Sequence, residues 1–140
     1  GQDAIINSIE LKASQFSTFP LNQIENLQVV RYHKGQQYKP HYDFFVPGAE
    51  GTKEALQRGG QRYITFFVYL NDLDEADTGG HTEFPKLNIK IKPKRGSAVF
   101  WWNVHPQTKI EDYKTLHAGI PPTVSTKYGL NIWIREKKFI

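Results

Sequence analysis

The chain contains no cysteine, so disulfides and thiolate-held metals are excluded and any metal must be bound through nitrogen and oxygen donors. No apolar run approaches the roughly 20 residues that a bilayer-crossing helix needs, and no charged-then-apolar leader opens the sequence. Neither membrane insertion nor secretion is expected, and a cytoplasmic setting is. Low-complexity sequence is also missing. A hydrophobic share of 39% and an aromatic share of 14% place the chain among proteins that pack a core. Charge of one sign does not dominate: 18 basic residues face 14 acidic ones, for a net charge of +4. The basic residues are scattered apart from Lys90, Lys92, Lys94 and Arg95 and the pair Lys137 and Lys138. No basic stripe alternates with exposed aromatics, so no nucleic-acid partner is expected, while an acidic partner stays open. The 140 residues suit one domain, 1–140, with a single hydrophobic core.

Residues 3–16 carry Ile5, Ile6, Ile9, Ala13 and Phe16 near helical spacing, which predicts one amphipathic helix. Beyond it, runs of β-branched and aromatic residues recur between Gly, Pro, Asn and Asp: LQVVRYH (27–33), YKPHYDFFV (38–46), YITFFVYL (63–70), SAVFWW (97–102) and KYGLNIWIR (127–135). That rhythm is the signature of an all-β sandwich or barrel. The segment PGAEGTKEALQRGG (47–60) is polar, rich in glycine and without an apolar face, and reads as a mobile loop of the kind that serves as a substrate lid. NDLDEADTGG (71–80) offers Asp72, Asp74 and Asp77, but the glycine and glutamate positions of an EF-hand are not filled, so calcium is not expected.

His41 and Asp43 stand two apart in a predicted strand, and side chains at that spacing project from one face and can share an ion. Chance alone produces such pairs, so the metal reading needs a third ligand. A set of two histidines and one carboxylate leaves open positions on iron for a co-substrate and O₂. The candidates are His33, His81, His105 and His117. His33 has the opposite strand parity to Tyr32, which is placed inward, and His105 precedes Pro106 in a loop. His117 lies in TLHAGIPP just before the last long strand, and Lys127 opens that strand ten residues later. A dicarboxylate that chelates iron at one end needs a buried cation for its other end. Lys127 suits that task, because it shares a strand face with Gly129, Asn131 and Trp133. Thr65 and Tyr69 share a face of the central strand and offer two hydroxyls to the same anion pocket.

Together, RYHKGQQYKPHYD, RGGQRYITFFVYLND, GGHTEFP, KPKRGSAVFWW and LHAGIPPTVSTKYGLNIWIRE resemble the catalytic domain of the prolyl 4-hydroxylases from about residue 19 to residue 136. The resemblance implies a mainly β fold: a double-stranded β-helix (jelly roll) over 27–136 with the N-terminal helix packed on it. It implies Fe(II) held by His41, Asp43 and His117, and Lys127 gripping the far carboxylate of 2-oxoglutarate. Tyr32 and Thr65 are implied as further 2-oxoglutarate contacts, and Tyr38, Arg62 and Trp133 as residues lining a peptide groove. The implied reaction hydroxylates a peptidyl proline with O₂ and 2-oxoglutarate as co-substrates, succinate and CO₂ as products, and ascorbate as reductant. Aromatic residues at Tyr38 and Trp133 suit an extended proline-rich peptide. Two departures bear on substrate choice: His81 stands where relatives carry an acidic residue after the paired glycines, and PPTVSTKYG lacks the usual Gly before and Trp after the lysine. Rival readings are an oxygenase acting on lysyl groups, free amino acids or nucleic acid, and a jelly-roll binding module without catalysis. The binding module predicts a broken triad, whereas this one is complete. Oligomeric state is not legible.

Overall fold

The computed structural model describes residues 3–140 of the chain. Helix α1 (Ala4–Ser17) starts where the Asp3 side chain accepts the Ile6 N–H at 2.8 Å, an N-cap that satisfies one of the helix's free donors. It ends at Thr18 in the left-handed conformation (φ 66), whose N–H donates to the Ser14 carbonyl. The expected helix over 3–16 is thus present, shifted by one residue.

Eight strands form two antiparallel four-stranded sheets. One sheet has the order β1 (Gln28–Tyr32), β8 (Lys127–Arg135), β3 (Arg62–Tyr69) and β6 (Ala98–Trp102). The other has the order β2 (Tyr38–His41), β7 (His117–Gly119), β4 (Thr82–Phe84) and β5 (Ile89–Ile91). The mainly β jelly roll with an N-terminal helix is therefore what the chain forms. The two central strands are buried on both faces, which is why β3 and β8 read as nearly continuous apolar runs. On one face Ile64 and Phe66 of β3, with Leu130, Ile132 and Ile134 of β8, pack with Ala13 of α1 and with Ile24 into the main core. Each fully buried aliphatic side chain contributes about 1.5–3 kcal/mol. On the other face, Thr65 lies opposite Trp133, Phe67 opposite Asn131 and Tyr69 opposite Gly129, all turned toward the second sheet. That inner face carries the site. Gly129 is required there, because a Cβ at this position would overlap the Phe67 ring.

The segment 47–60, expected to be a loop, contains a helical turn. Thr52–Gln57 is a short helix, α2, and the Thr52 hydroxyl donates to the Val46 carbonyl at 2.8 Å. The segment is pinned to the C-terminal residues: Arg135 donates to the carbonyls of Ala55 and Gly60, and Lys137 N–H donates to Gly59 O at 2.8 Å. A helix of six residues has too few turns to show an apolar stripe, which is why the sequence hides it.

In the acidic segment, Asp77 does the work of a structural clasp. Its carboxylate accepts the N–H groups of Gly79, Thr123, Val124 and Ser125 and the Thr123 hydroxyl, at 2.8–3.1 Å. Burial opposes its charge, but these donors outweigh burial and hold the carboxyl well below the usual carboxylate range. The stability this contributes is present above the ordinary carboxyl pKa and is lost as pH falls through the depressed one. Asp77→Ala removes the shared acceptor of several part-buried donors, and urea denaturation is expected to show a loss of about 1–3 kcal/mol. A loss below roughly 0.5 kcal/mol would contradict the clasp.

Candidate metal centre and anion pocket

His41 ends β2, His117 opens β7, and these two strands pair antiparallel with His41 opposite His117. Asp43 follows β2 by two residues and is 5% exposed. His41 Nε2 and His117 Nε2 each lie 3.3 Å from Asp43 Oδ1, and one donor atom from each of the three residues falls within 4.8 Å of the others. This is the set expected from the sequence, and among the described residues no other such group of three forms. His33 and His105, the alternatives in loops, do not join it.

The histidine tautomers follow from their other nitrogens. His41 Nδ1 is 2.8 Å from Lys39 O, and His117 Nδ1 is 2.8 Å from Thr115 O. A carbonyl only accepts, so each Nδ1 carries a proton; Nε2 is then the nitrogen left to meet Asp43 Oδ1, donating to it while protonated and offering its lone pair to a cation once that proton is displaced. The other carboxylate oxygen, Oδ2, is already committed: Thr65 Oγ1 donates to it at 2.8 Å and Trp133 Nε1 at 3.0 Å. Burial opposes ionisation of Asp43, yet the bonds from His117, His41 and Trp133 prevail and keep it a carboxylate. For His117, burial pushes toward the neutral ring and Asp43 pushes harder the other way, raising its pKa. Two nitrogen lone pairs and one anionic oxygen converging on a point suit a divalent cation of Fe(II) type.

Beside this set lies a narrow cleft, lined among others by Tyr32, Phe67, Thr82, Trp101 and Lys127. Lys127 is 2% exposed, with Nζ 5.2, 5.3 and 5.5 Å from the ring centres of Tyr32, Phe67 and Tyr69. Among the described residues no carboxylate or other hydrogen-bond acceptor meets this ammonium group, which borders the cleft, and burial pushes its pKa down to about 8. A buried cation facing only aromatic rings is a site that wants an anion. Tyr32 has its pKa pushed up to about 12, by burial first and then by repulsion from Tyr38 and Asp43, so its phenol stays a neutral donor.

The remaining expected residues divide between the cleft and partners within the chain. Thr65, 0% exposed, spends its hydroxyl on Asp43 and does not line the cleft. Tyr69 bonds Thr82 Oγ1 at 2.7 Å and offers Lys127 its ring. Trp133 is buried with its N–H on Asp43, and Arg62 stacks on it with Cζ 3.7 Å from the ring centre while binding Glu25 at 2.7 and 3.0 Å. Trp133 nonetheless lines the cleft, whereas Arg62 does not. Tyr38 does: it is 47% exposed at the cleft rim, its ring 4.3 Å from that of His41. Sequence reasoning passed over Thr82 and Trp101. Strand parity would have found Trp101, because it pairs with Thr65 on the inner face, whereas a three-residue strand gave Thr82 no pattern to show.

Comparison with known proteins agrees with this geometry. The model of the 2OG-Fe(II) oxygenase superfamily matches residues 27–135. A protein of Acanthamoeba polyphaga mimivirus, provisionally named a prolyl 4-hydroxylase, is 43% identical over 121 residues, covering 86% of this chain and 48% of its own length. Prolyl 4-hydroxylase 5 of Arabidopsis thaliana is 31% identical, covering 99% of this chain and 51% of its own length. The chain thus spans about half the length of these curated relatives. Among solved structures, the 2OG complex of the viral collagen prolyl hydroxylase from Paramecium Bursaria Chlorella virus-1 superposes with a TM-score of 0.79 at 36% identity, over 96% of this chain and 74% of that one. The chain belongs to the 2OG-Fe(II) oxygenase superfamily, with Fe(II) and 2-oxoglutarate as its cofactors.

Proposed function

We propose that this chain is the catalytic domain of a prolyl 4-hydroxylase in which His41, Asp43 and His117 hold Fe(II) and Lys127 anchors the far carboxylate of 2-oxoglutarate. The observation that carries the proposal is one cleft combining a converging His/Asp/His donor set with a buried ammonium group that no carboxylate meets. When bound, the iron supplies the oxidative chemistry by which O₂ and 2-oxoglutarate give succinate, CO₂ and a hydroxyl group on the substrate carbon.

The chain supplies geometry. The carbonyls of Lys39 and Thr115 fix the two imidazole rings, and Thr65 and Trp133 hold Asp43 so that Oδ1 faces the ion. Lys127 supplies positive charge and Tyr32 a neutral hydroxyl to the co-substrate's anionic end, while Phe67 and Trp101 wall the cleft against water. Tyr38 offers an exposed ring at the rim, a surface on which a polyproline II segment stacks at little entropic cost. The substrate we assign is a proline-containing peptide or protein. The name of the viral structural neighbour favours collagen-like sequences.

The test is succinate formation with Fe(II), 2-oxoglutarate and ascorbate, with and without a panel of proline-rich peptides led by Pro-Pro-Gly repeats. Peptide-stimulated succinate, with a mass gain of one oxygen atom on proline and 4-hydroxyproline after hydrolysis, is the expected result. Stimulation by lysyl peptides or free amino acids instead would reject the substrate. Absence of succinate from the iron-loaded protein would reject the enzyme.

A further inference from the structure

Behind the Asp43 carboxylate runs a file of side chains whose hydrogen bonds all point one way. Trp101 Nε1 donates to Asn103 Oδ1 at 2.7 Å, Asn103 Nδ2 donates to Thr65 Oγ1 at 2.9 Å, and Thr65 Oγ1 donates to Asp43 Oδ2 at 2.8 Å. The direction is set at both ends, because an indole N–H can only donate and a carboxylate can only accept. At the Trp101 end, the indole N–H requires that Asn103 face it with Oδ1. That turns Nδ2 toward Thr65. The Thr65 hydroxyl has one hydrogen, and once its lone pair receives the Asn103 N–H, that hydrogen is left for Asp43. Asn103 and Thr65 are both 0% exposed, so water does not compete for these groups. The Asn103 backbone is held as firmly, with its N–H on Tyr63 O at 2.7 Å and its carbonyl accepting Asp112 N–H at 2.9 Å.

We infer that Asn103 is a positioning residue for the metal carboxylate: through Thr65 it keeps one oxygen of Asp43 occupied and leaves the other directed at the ion. The inference rests on the metal role proposed for His41, Asp43 and His117. A buried amide is costly unless every polar group is matched, and here the matching has a functional output. It makes the two Asp43 oxygens inequivalent, Oδ2 taking the N–H of Trp133 and the O–H of Thr65 while Oδ1 faces both histidine nitrogens. The same amide anchors Trp101, whose ring lies 4.8 Å from that of His117. A purely structural Asn103 would matter to stability. A positioning Asn103 matters to metal affinity, and does so only while Thr65 has its hydroxyl.

The experiment is titration of the metal-free protein with Co(II) alone, followed by visible absorption, on wild type, Asn103→Leu, Asn103→Asp, Thr65→Val and the Thr65→Val/Asn103→Leu double variant. Asn103→Asp is nearly isosteric, but its carboxylate offers Thr65 no N–H and draws the hydroxyl hydrogen away from Asp43. Each single variant is expected to weaken Co(II) binding by roughly 10- to 100-fold, the range for lost partners of metal ligands. In the double variant, Asn103→Leu is expected to add less than about threefold to Thr65→Val, because the path through the hydroxyl is already cut. Thr65→Ser, which restores the hydroxyl, is expected to recover most of the affinity. Should the Asn103 variants fail to fold, Trp101→Phe keeps an aromatic ring and removes the N–H that orients the amide, together with the rest of the five-membered ring. It is expected to weaken Co(II) binding severalfold in wild type and not in Thr65→Val. Unchanged affinity in folded Asn103 variants, or in Trp101→Phe, overturns the inference, and so does full additivity with Thr65→Val. Failure of the wild type itself to take up Co(II) rejects the metal site and the inference together, and is distinguishable because the variants are then never weaker than wild type.

Discussion

Lys127→Met is expected to stabilise the anion-free protein while removing most of its affinity for 2-oxoglutarate. The two effects have one cause. Lys127 is 2% exposed among three aromatic rings, and burial lowers its pKa from the ordinary 10.5 to about 8. Between those values the unfolded chain binds more protons than the folded one, so stability rises as pH climbs through that window. The full cost of burying the charge is present below about pH 8. That desolvation cost is on the order of 3 kcal/mol, and attraction to the surrounding rings offsets part of it. Methionine fills the same space without charge, so about 1–3 kcal/mol of stability should be gained at neutral pH and little near pH 10. Truncating one member of a buried ion pair costs about 2–5 kcal/mol of binding, which predicts 2-oxoglutarate affinity lower by roughly 30- to several-thousand-fold. In the wild type the affinity should also decline above about pH 8, where the free lysine loses its proton, and in Lys127→Met it should not. Thermal melts at two pH values and calorimetric titration with 2-oxoglutarate check both halves. Equal affinity in the variant would contradict the anion pocket.

His117→Ala is expected to lower succinate formation by more than about 10³-fold and to abolish Co(II) binding, since two donors replace three on a cation that needs a preorganised set. The fold should survive. Asp43 keeps its bonds from Thr65 and Trp133, so no buried carboxylate is stranded. The loss of ring contacts with Trp101 and Phe84, centred 4.8 and 5.6 Å away, should cost about 2–4 kcal/mol, measured by denaturant titration. A folded His117→Ala protein with full turnover would show that the iron sits elsewhere.

What the sequence made legible follows the length of its patterns. Helix α1 and the long strands β3 and β8 carry enough residues for a period to show, and parity along β8 placed Lys127 on the face of Asn131 and Trp133 before any coordinates. Strands β4, β5 and β7, at three residues each, hold no period, and β7 was missed although it carries His117. The site residues divide by a different rule. Parity tells which way a side chain points and says nothing of what it meets across the sheet. Thr65 and Trp133 do point inward, as expected, and both meet the same oxygen of Asp43, a hold on the carboxylate that parity does not announce. Arg62 is likewise drawn to Glu25, a partner 37 residues away that no local pattern announces.

One cleft is expected to hold both iron and 2-oxoglutarate. Anaerobic equilibrium dialysis of labelled 2-oxoglutarate against the protein, with and without Fe(II), tests it most directly. The predicted result is one co-substrate per chain that requires Fe(II) and is lost in both His117→Ala and Lys127→Met. Binding that is indifferent to the metal, or equal in the two variants and the wild type, would contradict it.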